Sequence, residues 1–166
     1  MEEGILNIVK SNPEVSDARF LQAGDVVMQD WVRDACSDCK FLGRSWSCPP
    51  GVGSLEEIRE RLREFSSAVF LKFKSSRDMH ALENAVLEIE SSLKSSGFPK
   101  ALGFFPHPCT ACKSCSYPEP CTKPELCRPT GESWGIDLLG TSVKACLPVE
   151  LVRDGDEFRP VTLFLL

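Results

Sequence analysis

The sequence predicts a single α/β (or α+β) domain: a small mixed sheet with flanking helices and cysteine-rich metal-binding loops at one edge. Three observations lead there. Apolar residues recur at helical spacing in two segments, and short apolar runs of strand length alternate with them. Seven of the nine cysteines fall in two tight, proline-bounded blocks. At 166 residues the chain has room for one core. Residues 1–166 are therefore read as one metal-binding domain, with cysteine blocks at 36–50 and 109–127.

In chain order, Gly4 to Lys10 reads as a short helix and Val26 to Val32 as a strand. Ser54 and Glu57 have capping-box spacing, in which each side chain satisfies the other residue's free N–H. Leu55, Ile58, Leu62 and Phe65 follow on one helical face. Ala68 to Phe73 has the length and composition of a strand. A second helix presents Met79, Leu82, Val86, Ile89 and Leu93, and Gly97 suits its stop. Ala101 to Phe105 is the next strand candidate, ended by Pro106 and Pro108. Glu132 to Ala145 reads as helical despite Gly135 and Gly140, and Val161 to Leu165 as a closing strand. Each cysteine block thus follows a strand candidate. If the strands at Val26–Val32 and Ala101–Phe105 run parallel in one sheet, both blocks emerge at the edge where open α/β sheets carry their sites.

A net charge of -5 and a pI near 5.1 leave no basic surface for phosphates, which disfavours a nucleic-acid partner. The first residues are acidic where a signal peptide is basic, and no apolar run approaches the roughly 20 residues that span a bilayer. The expectation is a cytoplasmic protein with no membrane partner. Thiols stay reduced there, and an odd total of nine excludes complete internal pairing. Metal ligation is the leading explanation.

The second block runs Cys109, Cys112, Cys115, then Cys121 after five residues. Two successive C-x2-C intervals sit badly on one tetrahedral zinc. A cubane offers irons at separate corners, which thiolates from one loop can reach, and the spacing is like the start of the bacterial ferredoxin run. An iron–sulfur cluster, [4Fe-4S], is the expected cofactor, in one copy or two, with zinc as the alternative. The first block runs Cys36, Cys39, then Cys48-Pro49-Pro50, three ligands of a four-ligand site. Gly43 permits the return between Cys39 and Cys48. Trp46 either shields the centre or packs in the core. The fourth ligand is Cys121, another cysteine or something exogenous; closure by a protein ligand is the favoured reading.

Cys127 and Cys146 stand outside both motifs and read as packing. His80 reads as a surface residue and His107 as a weaker ligand candidate than any motif cysteine. Lys113, Lys123 and Arg128 lie where positive charge offsets thiolates. No nucleophile–base pair and no phosphate-binding glycine motif is present, so no catalytic residue is predicted.

These motifs resemble a family of predicted metal-binding proteins, domain of unknown function 2284. Cys36, Cys39, Gly43, Trp46, Cys48, Pro49 and Pro50 match its first motif. Cys109, Cys112, Cys115, Cys121 and Pro124 match its second, followed by Glu132, Gly135, Ile136 and Asp137. Leu42 stands where the family has tyrosine, and Thr122 where it has arginine. The resemblance implies that the seven motif cysteines act together, with Cys127 and Cys146 outside the set; it supplies no substrate. Three functions fit: an electron-transfer or redox-accessory protein with a redox partner, an iron–sulfur enzyme with an open iron site, and a zinc-binding interaction module.

Overall fold

The computed structural model describes residues 1–149 and 159–166. Their elements are helices α1 (Glu2–Lys10), α2 (Asp30–Asp34), α3 (Leu55–Leu62), α4 (Met79–Ser95) and α5 (Leu138–Lys144), with strands β1 (Val15–Gln22), β2 (Ser67–Phe73), β3 (Leu102–Gly103) and β4 (Val161–Leu165). The sheet order is β1-β2-β4-β3. Every pairing between these strands is antiparallel, so the expected mixed sheet is corrected to an antiparallel one. β2 and β3 both run against β4, so they point the same way on either side of it and α4 crosses between them. This is a split βαβ arrangement.

The two central strands are covered on both faces, and their alternation sorts side chains into two cores. Val69, Leu71, Phe73 and Phe164 pack with Ile5 and Val9 of α1 and with Leu82, Val86, Ile89 and Leu93 of α4. Ala68, Phe70, Leu163 and Leu165 face the other way, toward Ile58, Phe104, Trp134 and Ile136. α4 and β4 crowd Gly103: a Cβ there would lie 2.6 Å from both Val86 and Phe164. Among the described residues, no helix is long and apolar enough to cross a membrane.

The capping box at Ser54 and Glu57 is present, as are the helix ending before Gly97 and the closing strand. Four elements depart from the sequence reading. Val26–Val32 is not a strand: Asp137 donates its N–H to the Val27 carbonyl and Gln29 donates to the Gly135 carbonyl, which ties this segment to residues 135–137 instead of the sheet. α2 then begins at Asp30. Ala101–Phe105 pairs with β4 at Leu102 and Gly103, with one further bond from the Phe104 N–H to the Leu163 carbonyl, before Phe105 turns to bond Pro129. Glu132–Ala145 is broken at Gly135, whose φ is +75°, and α5 restarts under an Asp137 cap. β1 carried no clear sequence signal. A bulge between Val15 and Asp17 leaves Val15, Ala18 and Leu21 buried at intervals of three, which matches neither strand nor helix periodicity.

Candidate metal centre

The first cysteine block is a series of tight turns that begins where α2 ends. Arg33 of α2 donates 2.7 Å hydrogen bonds to the carbonyls of Ser133 and Gly53, anchoring the helix that leads to Cys36. The Cys39 N–H reaches the Cys36 carbonyl at 3.0 Å, and the Leu42 N–H reaches the Cys39 carbonyl at 3.0 Å. Gly43, at φ +66°, closes the loop by donating to the Pro49 carbonyl at 2.9 Å, the return the sequence asked of it. Gly51 sits so close that a Cβ would lie 2.9 Å from the Ser45 carbonyl oxygen. The result is a recess lined by Cys36, Cys39 and Cys48, with Pro49, His107 and Glu132 beside them. Burial pushes the thiols of Cys36 and Cys48 above their ordinary range, and Cys39 beside them adds to it. Crowded thiols such as Cys36 and Cys48, which resist ionisation, are those that a cation would stabilise as thiolates.

The second block is irregular chain held by polar anchors on α4. Buried Glu83 accepts from the Thr110 N–H at 2.6 Å and the Thr110 hydroxyl at 3.0 Å. Buried Glu90 accepts from Arg128 Nε at 2.7 Å and Nη2 at 2.8 Å, and also from the Gly103 N–H. Arg128 in turn holds the carbonyls of Glu125 and Cys127. Within the loop, Lys123 donates to the Ala111 carbonyl and Ser116 to the Pro120 carbonyl. These contacts fold Cys109, Cys112, Cys115, Cys121 and Cys127 around one recess. A hydrogen bond from the Cys127 thiol, against an opposing effect of burial, holds Cys109 down to about 7. The same contact pushes Cys127 up.

Among the described residues, no three His, Cys, Asp or Glu side chains converge tightly enough to hold one ion. The thiols instead stand around the walls of their recesses. The seven motif cysteines divide three and four between the two recesses. Cys127, which spacing alone set aside as packing, lines the second recess. Cys146 lines neither recess and is exposed at the end of α5. Arg128 spends its charge on Glu90, so its role here is structural. Trp46 neither enters the core nor lines a recess: its ring meets Tyr117 edge-on at 5.0 Å and its Nε1 donates to the Glu119 carbonyl at 2.9 Å, joining the two blocks. Sequence reasoning missed Glu83 and Glu90. The signal was there, because two acidic residues seven apart are buried on the α4 face that carries Leu82, Val86 and Ile89.

A family model described as predicted metal-binding protein (DUF2284) matches residues 19–166, a span that includes both cysteine blocks and all four strands except the start of β1. No curated protein and no solved structure matches the chain.

Proposed function

The chain belongs to this family of predicted metal-binding proteins, and from that premise we propose that it is an iron–sulfur protein of [4Fe-4S] type with an electron-transfer or redox-accessory role. The second recess carries the reading. Five thiols line it, and its other polar side chains are hydroxyls and one lysine, with no carboxylate or imidazole among them. Soft sets of this kind select zinc, copper(I) or iron–sulfur clusters. One zinc draws four thiolates to about 2.3 Å, hence within about 4 Å of one another. The four motif thiols, spread along the wall of the cavity, suit the separate iron corners of a cubane better.

A bound cluster would supply one-electron redox chemistry. The protein's own part is to present thiolates, hold the loops through Arg33, Glu83 and Glu90, and limit water at half-buried sulfurs, which tunes potential. A redox partner protein and a cytoplasmic location go with this reading, because electron transfer needs a partner and a reducing compartment keeps cysteines available as ligands. Anaerobic purification followed by iron, acid-labile sulfide and zinc analysis tests it. Brown protein with iron and sulfide in equal amounts is expected. Colourless protein holding stoichiometric zinc after anaerobic iron reconstitution would remove the iron–sulfur reading.

A further inference from the structure

We propose that the chain holds two separate metal centres set back to back, with Ser47 as the positioning residue common to both. The inference rests on the iron–sulfur reading above and adds the number of centres and their connection. The two recesses share no cysteine: Cys36, Cys39 and Cys48 line one, and the remaining block cysteines line the other. They share a wall instead. The chain crosses it twice, once where Ser45 faces the second recess and Cys48 the first, and once where Pro108 faces the first recess and Cys109 the second.

Ser47 stands inside that wall with no solvent exposure. Its hydroxyl oxygen accepts the Cys109 N–H at 3.0 Å. The same oxygen lies 3.7 Å from Cys48 Sγ and 2.8 Å from Ser45 Oγ. Ser45 Oγ already accepts the Ser47 N–H at 3.3 Å, so the Ser45–Ser47 pair is internally bonded. Once Cys48 is a thiolate, the Ser47 proton has an anionic acceptor, and a charge-assisted bond is the stronger one. One hydroxyl then fixes the backbone of a ligand on one side and donates to a ligand sulfur on the other. Hydrogen bonds to ligating sulfurs shift cluster potential, and because Ser47 is fully buried, bulk solvent does not compete for its proton. Trp46 and Tyr117 close the same seam from outside.

The test uses full-length protein reconstituted without oxygen with iron and sulfide. Wild type should hold about eight irons per chain, two cubanes' worth. Its EPR spectrum should be simple at partial reduction and broadened by spin–spin interaction at full reduction. The pairs Cys36→Ser/Cys39→Ser and Cys112→Ser/Cys115→Ser should each keep about half the iron and lose the broadening. Ser47→Ala should keep both centres but shift the midpoint potential of the Cys48 centre. About four irons in wild type with no broadening would mean a single centre and overturn the proposal, even if neither double variant folds. Iron loading with potentials untouched by Ser47→Ala would overturn the role of Ser47. Absence of iron and sulfide altogether would instead sink the iron–sulfur reading, with two zincs per chain still supporting two sites and one zinc refuting them.

Discussion

At the scale of single residues, donor chemistry separates the cysteines. Serine replaces a soft thiolate with a hard, weakly acidic oxygen, so Cys36, Cys39, Cys48, Cys109, Cys112, Cys115 and Cys121 changed singly to Ser should each lower metal content, measured as iron per chain. Cys146, exposed and remote from both recesses, should tolerate the change with stability within about 0.5 kcal/mol. Cys127 is the informative case. Five thiols line the second recess, but a cubane takes four; the motif set supplies them, and Cys127 donates to Cys109. Cys127→Ala should therefore retain iron; its loss would put Cys127 in the ligand set in place of a motif cysteine. The grouping of the motif cysteines into two recesses was legible because their spacing is local. Cys127 was not, because a lone cysteine acquires neighbours only through the Arg128–Glu90 clamp, a contact 38 residues long. That clamp is testable by pH. Burial raises the Glu90 carboxyl, yet Arg128, the Gly103 N–H and Lys94 together hold it below its ordinary 4.5. Its ionised form stabilises the fold fully above pH 4.5, and the contribution fades as pH falls toward and through the lower folded value. Glu90→Gln should cost about 3 kcal/mol at neutral pH by leaving Arg128 buried and unpaired, and should flatten the acid limb of the stability–pH curve measured by urea unfolding.

At the scale of elements, legibility followed how local the determining forces were. α3 is set by its own ends: Ser54 accepts the Glu57 N–H, and Glu57 accepts the Ser54 N–H at 2.7 Å. Ser54→Ala should cost about 1 kcal/mol, read from the shift in denaturation midpoint at constant slope. α4 and β2 were equally plain, one from a long apolar face and the other from a run buried on both sides. The segment after β1 was not. Val26 to Val32 has strand composition, but its carbonyls and N–H groups found partners around Gly135, far along the chain. The supposed route for joining the cysteine blocks, two parallel strands ending at one edge, was therefore mistaken in mechanism. The blocks meet through Ser47, Trp46 and Tyr117 instead, side chains whose contacts no local pattern encodes.

At the scale of the whole molecule, two kinds of structure are joined, and metal removal should tell them apart. The sheet buries two apolar layers, one against α1 and α4 and the other against Ile58 of α3 with Trp134 and Ile136. Residues 39–53 and 106–129 have little regular structure, contribute few buried apolar side chains, and are held by a small number of polar anchors. Bringing several thiolates together without a cation is unfavourable, since one charged sulfur opposes ionisation of another, as Cys39 does for Cys36 and both do for Cys48. Metal binding reverses that repulsion and ties the loops across the recesses, so binding energy becomes folding energy for those segments. Stripping the metal with a chelator or a cluster-destroying oxidant should lower the melting temperature in calorimetry. Limited proteolysis of the apo-protein should cut first within the two cysteine blocks, while far-UV circular dichroism retains the signal of α4 and the sheet. An unchanged melting temperature with the blocks still protected would mean that the polar anchors alone order these loops, and that the metal is an addition to a self-sufficient core.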